Sequence, residues 1–184
     1  MDFTEKQIAS EEIFQGKIVH LVRDTVTLPD GNEATREIVR HPGAVAVVAV
    51  TSDRRVLLVT QYRYAFARNL TEIPAGKLER GEDPFEAVKR ELREETGADA
   101  AEWRELGSFF ATPAIFDEHI HLYYATGLSF GDMDLDDDEF LAVSSMDIDE
   151  AAQKAATGGF PDGKTQAGIL RAKYLIDRGE LPIL

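Results

Sequence analysis

Cysteine does not occur in the chain, which removes disulfides, thiolate metal sites and a cysteine nucleophile from consideration and suits a reducing compartment. Basic charge is scarce: 20 Lys and Arg stand against 34 Asp and Glu, a net charge of −14. No basic stripe is available to neutralise a phosphate backbone, so nucleic acid is not an expected partner. An acidic protein can still take an anionic small molecule when divalent cations stand between the two, because the ion is then the largest local charge. Long apolar runs are missing as well. The longest, residues 44–50, is far too short to span a bilayer. The polar segment 1–10 has neither the basic nor the apolar part of a secretory signal. These absences describe a soluble, cytoplasmic protein with no membrane partner. The glycine patterns of serine hydrolases and P-loop enzymes are also absent. The four histidines, His20, His41, His119 and His121, lack ligand spacing and read as strand or loop residues.

What is present is one core's worth of hydrophobic material, 43% of 184 residues, with no repeat and no Pro- or Ser-rich linker. Residues 17–28 and 37–40 are rich in β-branched side chains and flank Pro29-Asp30-Gly31-Asn32, a turn sequence, so an antiparallel hairpin is expected. Residues 44–50 and 56–61 read as a second hairpin whose first strand is buried on both faces. Between 83 and 96 the period becomes helical, with Phe85, Val88 and Leu92 as the apolar stripe, Asp83-Pro84 as the start and Gly97 as the stop. Strands are expected at 103–110, 119–125 and 140–146, and helices at 149–156 and 165–178. Strands in the middle with helices on their flanks predict an α+β layered domain built on a mixed sheet.

On the 83–96 helix, Glu91, Glu94 and Glu95 occur at i, i+3 and i+4 and project from one face. Such carboxylates repel one another weakly, yet an oxygen cluster is what Mg²⁺ and Mn²⁺ require. An isolated Glu-x-x-Glu-Glu is more often an ordinary solvated helix face. The wider pattern changes that reading: Gly76, five residues, Glu82, seven residues, then Arg90-Glu91-Leu92-Arg93-Glu94-Glu95-Thr96-Gly97-Ala98.

This pattern resembles the signature of the Nudix hydrolase family at every fixed position, with Ala98 where a larger aliphatic residue is usual. The resemblance implies an α/β/α sandwich around a mixed β-sheet flanked by helices, with the signature forming a strand, loop and helix that hold metal. It divides the chain into antiparallel N-terminal strands over 1–43, serving dimerisation and substrate contacts, and a hydrolase domain over 44–184. It makes Glu91, Glu95, Glu94 and the carbonyl of Ala75 metal ligands for Mg²⁺, with Mn²⁺ as a substitute. Glu94 and Arg90 then count among the catalytic groups, with Glu82 and Arg90 supporting the loop and helix.

Flanking segments are similar to the ADP-ribose pyrophosphatase branch of that family. They are residues 36–43, Gln61-Tyr62-Arg63, the run from Glu72 to Lys77, Pro113 placed fifteen residues beyond Ala98, and Asp117-Glu118. The likeness implies hydrolysis of ADP-ribose to AMP and ribose 5-phosphate by a homodimer. Arg63 would hold the diphosphate, Glu118 the terminal ribose or a water, and Arg36 the adenine side, with Glu72 and Pro113 completing the substrate set. The acidic run ending at Glu139 stands where this branch carries its general base, and Glu139 or Asp137 is expected in that role. One departure bears on specificity: Ala114, Ile115 and Phe116 fill a loop where relatives carry glycine, which leaves another nucleotide sugar or a dinucleotide such as NADH as the alternative substrate. A Nudix-fold sensor that binds without cutting is the remaining alternative, disfavoured because the glutamates are all retained.

Overall fold

The structure is a computed structural model, which describes residues 1–135 and 140–184. It contains two compact units: 1–43 together with 110–119, and 44–109 together with 120–184.

The first unit is built on an antiparallel sheet in the order β1-β2-β3, formed by Lys6–Gln15, His20–Thr27 and Glu33–Arg40. The expected hairpin is β2-β3, in register from His20 opposite Arg40 to Thr27 opposite Glu33. Its turn closes because the Asp30 carboxylate accepts from the Asn32 N–H at 3.0 Å while Gly31 takes a positive φ of 88°, which costs glycine nothing. Strand β1 lies within the N-terminal strands that the resemblance implied, but no periodicity marks it. Every one of its residues is exposed, so it carries no inward face to betray it and exists by pairing with β2. Segment 110–119 joins the unit through Val39, whose N–H donates to the Ile115 carbonyl at 2.8 Å.

The second unit holds two sheets. A mixed sheet runs β7-β4-β9-β8, comprising Ala75–Lys77, Ala44–Ala49, His119–Phe130 and Ala98–Phe110. Here β4 is antiparallel to β7 and parallel to β9. An antiparallel sheet runs β10-β5-β6, comprising Leu141–Asp147, Arg55–Arg63 and Arg68–Glu72. The helices are α1 (Pro84–Thr96), α2 (Ile148–Ala156) and α3 (Gly163–Asp177).

Strand β4 is buried along its whole length, and the alternation of its side chains explains the layering. Val45, Val47 and Ala49 pack with Ala87, Val88 and Leu92 of α1. Ala44, Ala46 and Val48 face the opposite core of Leu122, Tyr124, Ile148, Phe160 and Ile169. Helices therefore cover both faces of the mixed sheet, the α/β/α sandwich expected for an α+β chain of this pattern.

The expected second hairpin does not form. Only an isolated bridge between Val50 and Val56 closes the turn, after which β4 and β5 enter different sheets. Both strands are continuously apolar, and such a pattern reports burial on two faces without naming a partner. The short strand β6 was not anticipated, since five residues are too few to show a period, while β7 stands at the start of the signature, where the resemblance implied a strand.

Candidate active site

Helix α1 is fixed at both ends by the residues expected to do so. The Asp83 carboxylate accepts from the N–H groups of Phe85 at 2.9 Å and Glu86 at 3.3 Å, and Pro84 opens the first turn. Gly97 ends the helix at φ 68° and donates its N–H to the Arg93 carbonyl at 2.8 Å. The apolar residues Ala87, Val88 and Leu92 anchor the helix on β4, and Glu91 and Glu95, at i+4 from Ala87 and i+3 from Leu92, run along the flank of that inward-turned stripe.

Those three glutamates are held differently. Glu95 is almost fully buried, and its Oε2 accepts from the Ala75 N–H at 2.9 Å, which ties the helix to strand β7. Glu91 packs its carboxyl group onto the backbone of Gly76: a Cβ at that glycine would stand 2.0 Å from the Glu91 Cδ. Glu94 is the more exposed of the set. Arg90 joins the cluster, giving Nη1 to Glu91 Oε1 at 2.9 Å and to Glu94 Oε2 at 2.8 Å. Its Nε and Nη2 fork onto Glu82 at 3.0 and 3.1 Å. The hydrogen bonds it donates to Glu82, together with the charges of Glu91 and Glu94, raise the Arg90 pKa further against the opposing effect of burial, so the guanidinium is a permanent charge here. In return Arg90 holds the Glu82 carboxyl below its usual range, and Glu82 also accepts from the Glu79 N–H at 2.9 Å.

The donor chemistry of this cluster fits a hard divalent cation: oxygen atoms only, on one helix face, beside a glycine that leaves them room. Among the described residues no three His, Asp or Glu side chains are already gathered into a cation cage. Arg90 Nη1 supplies positive charge between Glu91 and Glu94, and a metal would take these carboxylates from it.

Two backbone bonds tie the segment after β9 to the end of this helix. Gly131 donates to the Gly97 carbonyl at 2.7 Å, and Asp134 donates to the Glu94 carbonyl at 3.2 Å. Gly97 cannot become alanine without its Cβ standing 2.5 Å from the Gly131 carbonyl oxygen. Asp137 and Glu139, the expected bases, lie outside the described residues.

Arg63 of β5 sits opposite β6 and forks onto Glu72, with Nε at 2.9 Å from Oε1 and Nη2 at 2.7 Å from Oε2. Glu72 is 2% exposed, and its carboxylate meets groups of the protein itself. Lys164, on the first turn of α3, bonds the same Oε2. Burial by itself would raise the Glu72 pKa, but the hydrogen bonds and charges of Arg63 and Lys164 outweigh it and hold the carboxyl below its usual range. Lys164 also pairs with Asp162 at 3.1 Å, and Asp162 caps α3 by accepting from the Thr165 N–H at 2.9 Å. Sequence reasoning missed Lys164 and Asp162. Lys164 is 92 positions from Glu72 and belongs to no local motif.

Arg36, Pro113 and Glu118 belong to the first unit. There Arg36 forks onto Glu5 at 2.9 and 2.5 Å. Glu118 stands 3.7 Å from His41 Nδ1, and the His41 N–H donates to Asp117 at 2.7 Å. Arg40 bridges Asp117 and Asp24 at 3.1 and 3.0 Å. Pro113 is in the exposed segment before Ile115 and Phe116, and Phe116 stacks on His41 at a centroid distance of 5.4 Å.

Residues 40–165 match the family model described as the NUDIX domain. The chain belongs to the Nudix family. Residues 5–39 match a second model, the nucleoside diphosphate sugar hydrolase N-terminal domain. The chain is 46% identical over 175 residues to a methanol dehydrogenase activator of Bacillus methanolicus, covering 94% of this chain and 93% of that one. It is 42% identical over 167 residues to an ADP-ribose pyrophosphatase of Bacillus subtilis, covering 90% of each. A crystal structure of an ADP compounds hydrolase superposes with a TM-score of 0.84 at 18% identity, over 98% of this chain and all of that one, a likeness of fold. The chain is thus a Nudix hydrolase, and its cofactor is a divalent metal ion. No helix among the described residues is long and apolar enough to cross a membrane.

The Gly76 contact yields a direct prediction for this Nudix enzyme. Gly76→Ala places a methyl group where the Glu91 carboxylate now lies, so the carboxylate must leave its position. Hydrolysis is expected to fall about 100-fold, the scale of losing the support of a metal ligand. The thermal unfolding midpoint should move by only a few degrees, since the displaced group is a side-chain terminus. Wild-type kinetics in the variant would show that this carboxylate is not used.

Proposed function

We propose that this enzyme hydrolyses the diphosphate of ADP-ribose to AMP and ribose 5-phosphate with Mg²⁺. The observation that carries the reading is the packing of Glu91 and Glu95 of α1 on the backbone of Gly76 and Ala75, in a chain 42% identical to an ADP-ribose pyrophosphatase.

In this reading Glu91, Glu94, Glu95 and the Ala75 carbonyl hold the metal. Bound Mg²⁺ supplies Lewis-acid charge at the diphosphate oxygens. Arg90 keeps the carboxylates in register and would stay on Glu82 when they turn to the cation. Arg63 binds the diphosphate through its outward side, and Glu72 fixes the angle of the guanidinium from below. Asp137 or Glu139 removes a proton from the attacking water as its oxygen bonds to phosphorus. The bond from phosphorus to the bridging oxygen then breaks, and that oxygen leaves on the other phosphate. The tie between the Asp134 N–H and the Glu94 carbonyl supports a base from this region, because it roots the segment leading to the acidic run on the signature helix. Arg36, Pro113 and Glu118 contribute the nucleoside and sugar contacts from the 1–43 strands and the 110–119 segment. Exposed Ile8, Ile13 and Phe14 on and around β1 support a role of those strands in a homodimer.

A second reading keeps the chemistry and changes the group attached. Ile115 is largely exposed on the loop where glycine is usual, which favours another nucleotide sugar or a dinucleotide such as NADH. Purified enzyme with Mg²⁺ should give its highest kcat/KM on ADP-ribose within a panel that includes NADH and other nucleotide sugars. All turnover should stop on adding a chelator and return with Mg²⁺. A panel member exceeding ADP-ribose by tenfold would move the assignment to that compound.

A further inference from the structure

Arg63 and Glu72 alone would be a neutral pair, and a neutral pair is a poor anchor for a diphosphate. The structure adds a second cation, Lys164, which Asp162 balances at 3.1 Å from the far side. Glu72 Oε2 is shared between Arg63 Nη2 and Lys164 Nζ, so one buried carboxylate answers two cations. The three groups are arranged in depth. The Arg63 side chain is 39% exposed, the Lys164 side chain 14% and the Glu72 side chain 3%. Lys164 therefore meets Glu72 from the buried side and Arg63 meets it from the side open to solvent. Asp162 keeps Lys164 in place at 3.1 Å while its carboxylate is committed to the N–H of Thr165. Thr165 in turn accepts from the Ile73 N–H at 3.0 Å, which locks the start of α3 to the residue following Glu72.

We propose that Lys164 is a positioning residue for substrate: it neutralises Glu72 from within, so that the charge of Arg63 is left for an incoming diphosphate. The inference rests on the assignment of Arg63 to the diphosphate. Its physical content is a difference in partner exchange. Whenever Arg63 turns even partly from Glu72 toward a substrate phosphate, the buried carboxylate loses hydrogen bonds and opposing charge. Without Lys164 that loss would leave an uncompensated charge in a site only 3% exposed, a costly state that would hold Arg63 back. With Lys164 present the carboxylate keeps a cation throughout. Lys164 touches no substrate in this scheme and acts through Glu72 and Arg63.

The test separates binding from chemistry. Lys164→Met, which keeps the aliphatic stem and removes the charge, is expected to raise the KM for ADP-ribose about tenfold with kcat within about twofold, because Arg63 contributes binding and not the metal cluster. Lys164→Arg should stay within about threefold of wild type. The double variant K164M/E72Q removes the buried negative charge along with its buried counter-charge, so its KM should fall at least about threefold below that of K164M while staying above wild type, because Glu72 also sets the Arg63 guanidinium. A role limited to holding the fold predicts the reverse, with the double variant worse than either single one. An unchanged KM in K164M, a fall confined to kcat, or no recovery in the double variant overturns the proposal. If K164M does not fold, E72Q and K164M/E72Q decide: a KM equal within about twofold between them supports the proposal, and a rise of about tenfold on removing Lys164 in the E72Q background overturns it. Should the wild-type enzyme leave ADP-ribose intact, the substrate reading fails separately. Calorimetric binding of inorganic pyrophosphate with Mg²⁺ then replaces KM, with the same loss and recovery expected.

Discussion

Glu95→Gln is expected to lower turnover of ADP-ribose by about 10³-fold while leaving the protein folded. The magnitude follows from the loss of one charged group in a preorganised electrostatic site, for which factors of this size are usual. The replacement is close to neutral for the fold. Glu95 Oε2 accepts from the Ala75 N–H, and the amide oxygen of glutamine can accept the same bond. What the amide cannot supply is a full negative charge to a divalent ion. Turnover should recover only in part at raised Mg²⁺, because a weakened ligand can be offset by mass action whereas a lost charge at the transition state cannot. The measurement is initial rate against Mg²⁺ concentration, with circular dichroism as the control for folding. Activity within tenfold of wild type at ordinary Mg²⁺ would remove Glu95 from the metal cluster and leave it a structural tie between α1 and β7. A non-hydrolysing sensor, by contrast, would show no turnover even in the unaltered chain.

The second large effect is on stability. Glu72 is the buried partner of two cations, and Glu72→Gln leaves Arg63 and Lys164 facing an amide. Breaking a buried pair by removing one partner costs about 3–5 kcal/mol. Arg63 is more than a third exposed and its share is screened by solvent, so a cost at or below the lower end of that range, about 2–3 kcal/mol, is expected. For a domain of this size that is a fall in the unfolding midpoint of about 5–10 °C at neutral pH. The pH dependence has a definite sign. Although burial pushes the Glu72 pKa up, Arg63 and Lys164 bring it below the ordinary 4.5 in the folded state. The carboxylate's contribution is then complete above that ordinary value and disappears as pH falls through the folded value. Melting wild type and variant side by side should show a gap that is constant from neutral pH to about 5 and narrows as the pH drops further. A gap that widened on acidification would mean that the carboxylate is destabilising where it stands, contrary to its two cationic partners.

Much of the signature helix could be read directly from the chain because its information is local. Asp83-Pro84 and Gly97 mark the ends of α1 through backbone bonds within a few residues of each other. The period of Val88 and Leu92 sets which face turns inward, and the spacing of Glu91, Glu94 and Glu95 then places them together. The β2-β3 hairpin was legible for the same reason, since Asp30, Gly31 and Asn32 make its turn among themselves. Strand partners were not local. β4 and β5 are neighbours in sequence and both apolar, yet one joins β7 and β9 while the other joins β6 and β10. β1 has no buried face at all and was invisible to any argument from periodicity.

The same division runs through the site. Residue types and spacings within one helix sufficed to put three carboxylates on one face, because a helix converts sequence separation into geometry, and the resemblance carried by the wider pattern supplied the reading of them as ligands. Only the tertiary structure decided that Glu72 is buried, that its carboxylate is shared by Arg63 and Lys164, and that Glu95 is bonded to Ala75. Those arrangements depend on which strands pair and where α3 begins, and the burial of a charge is settled by every element packed around it.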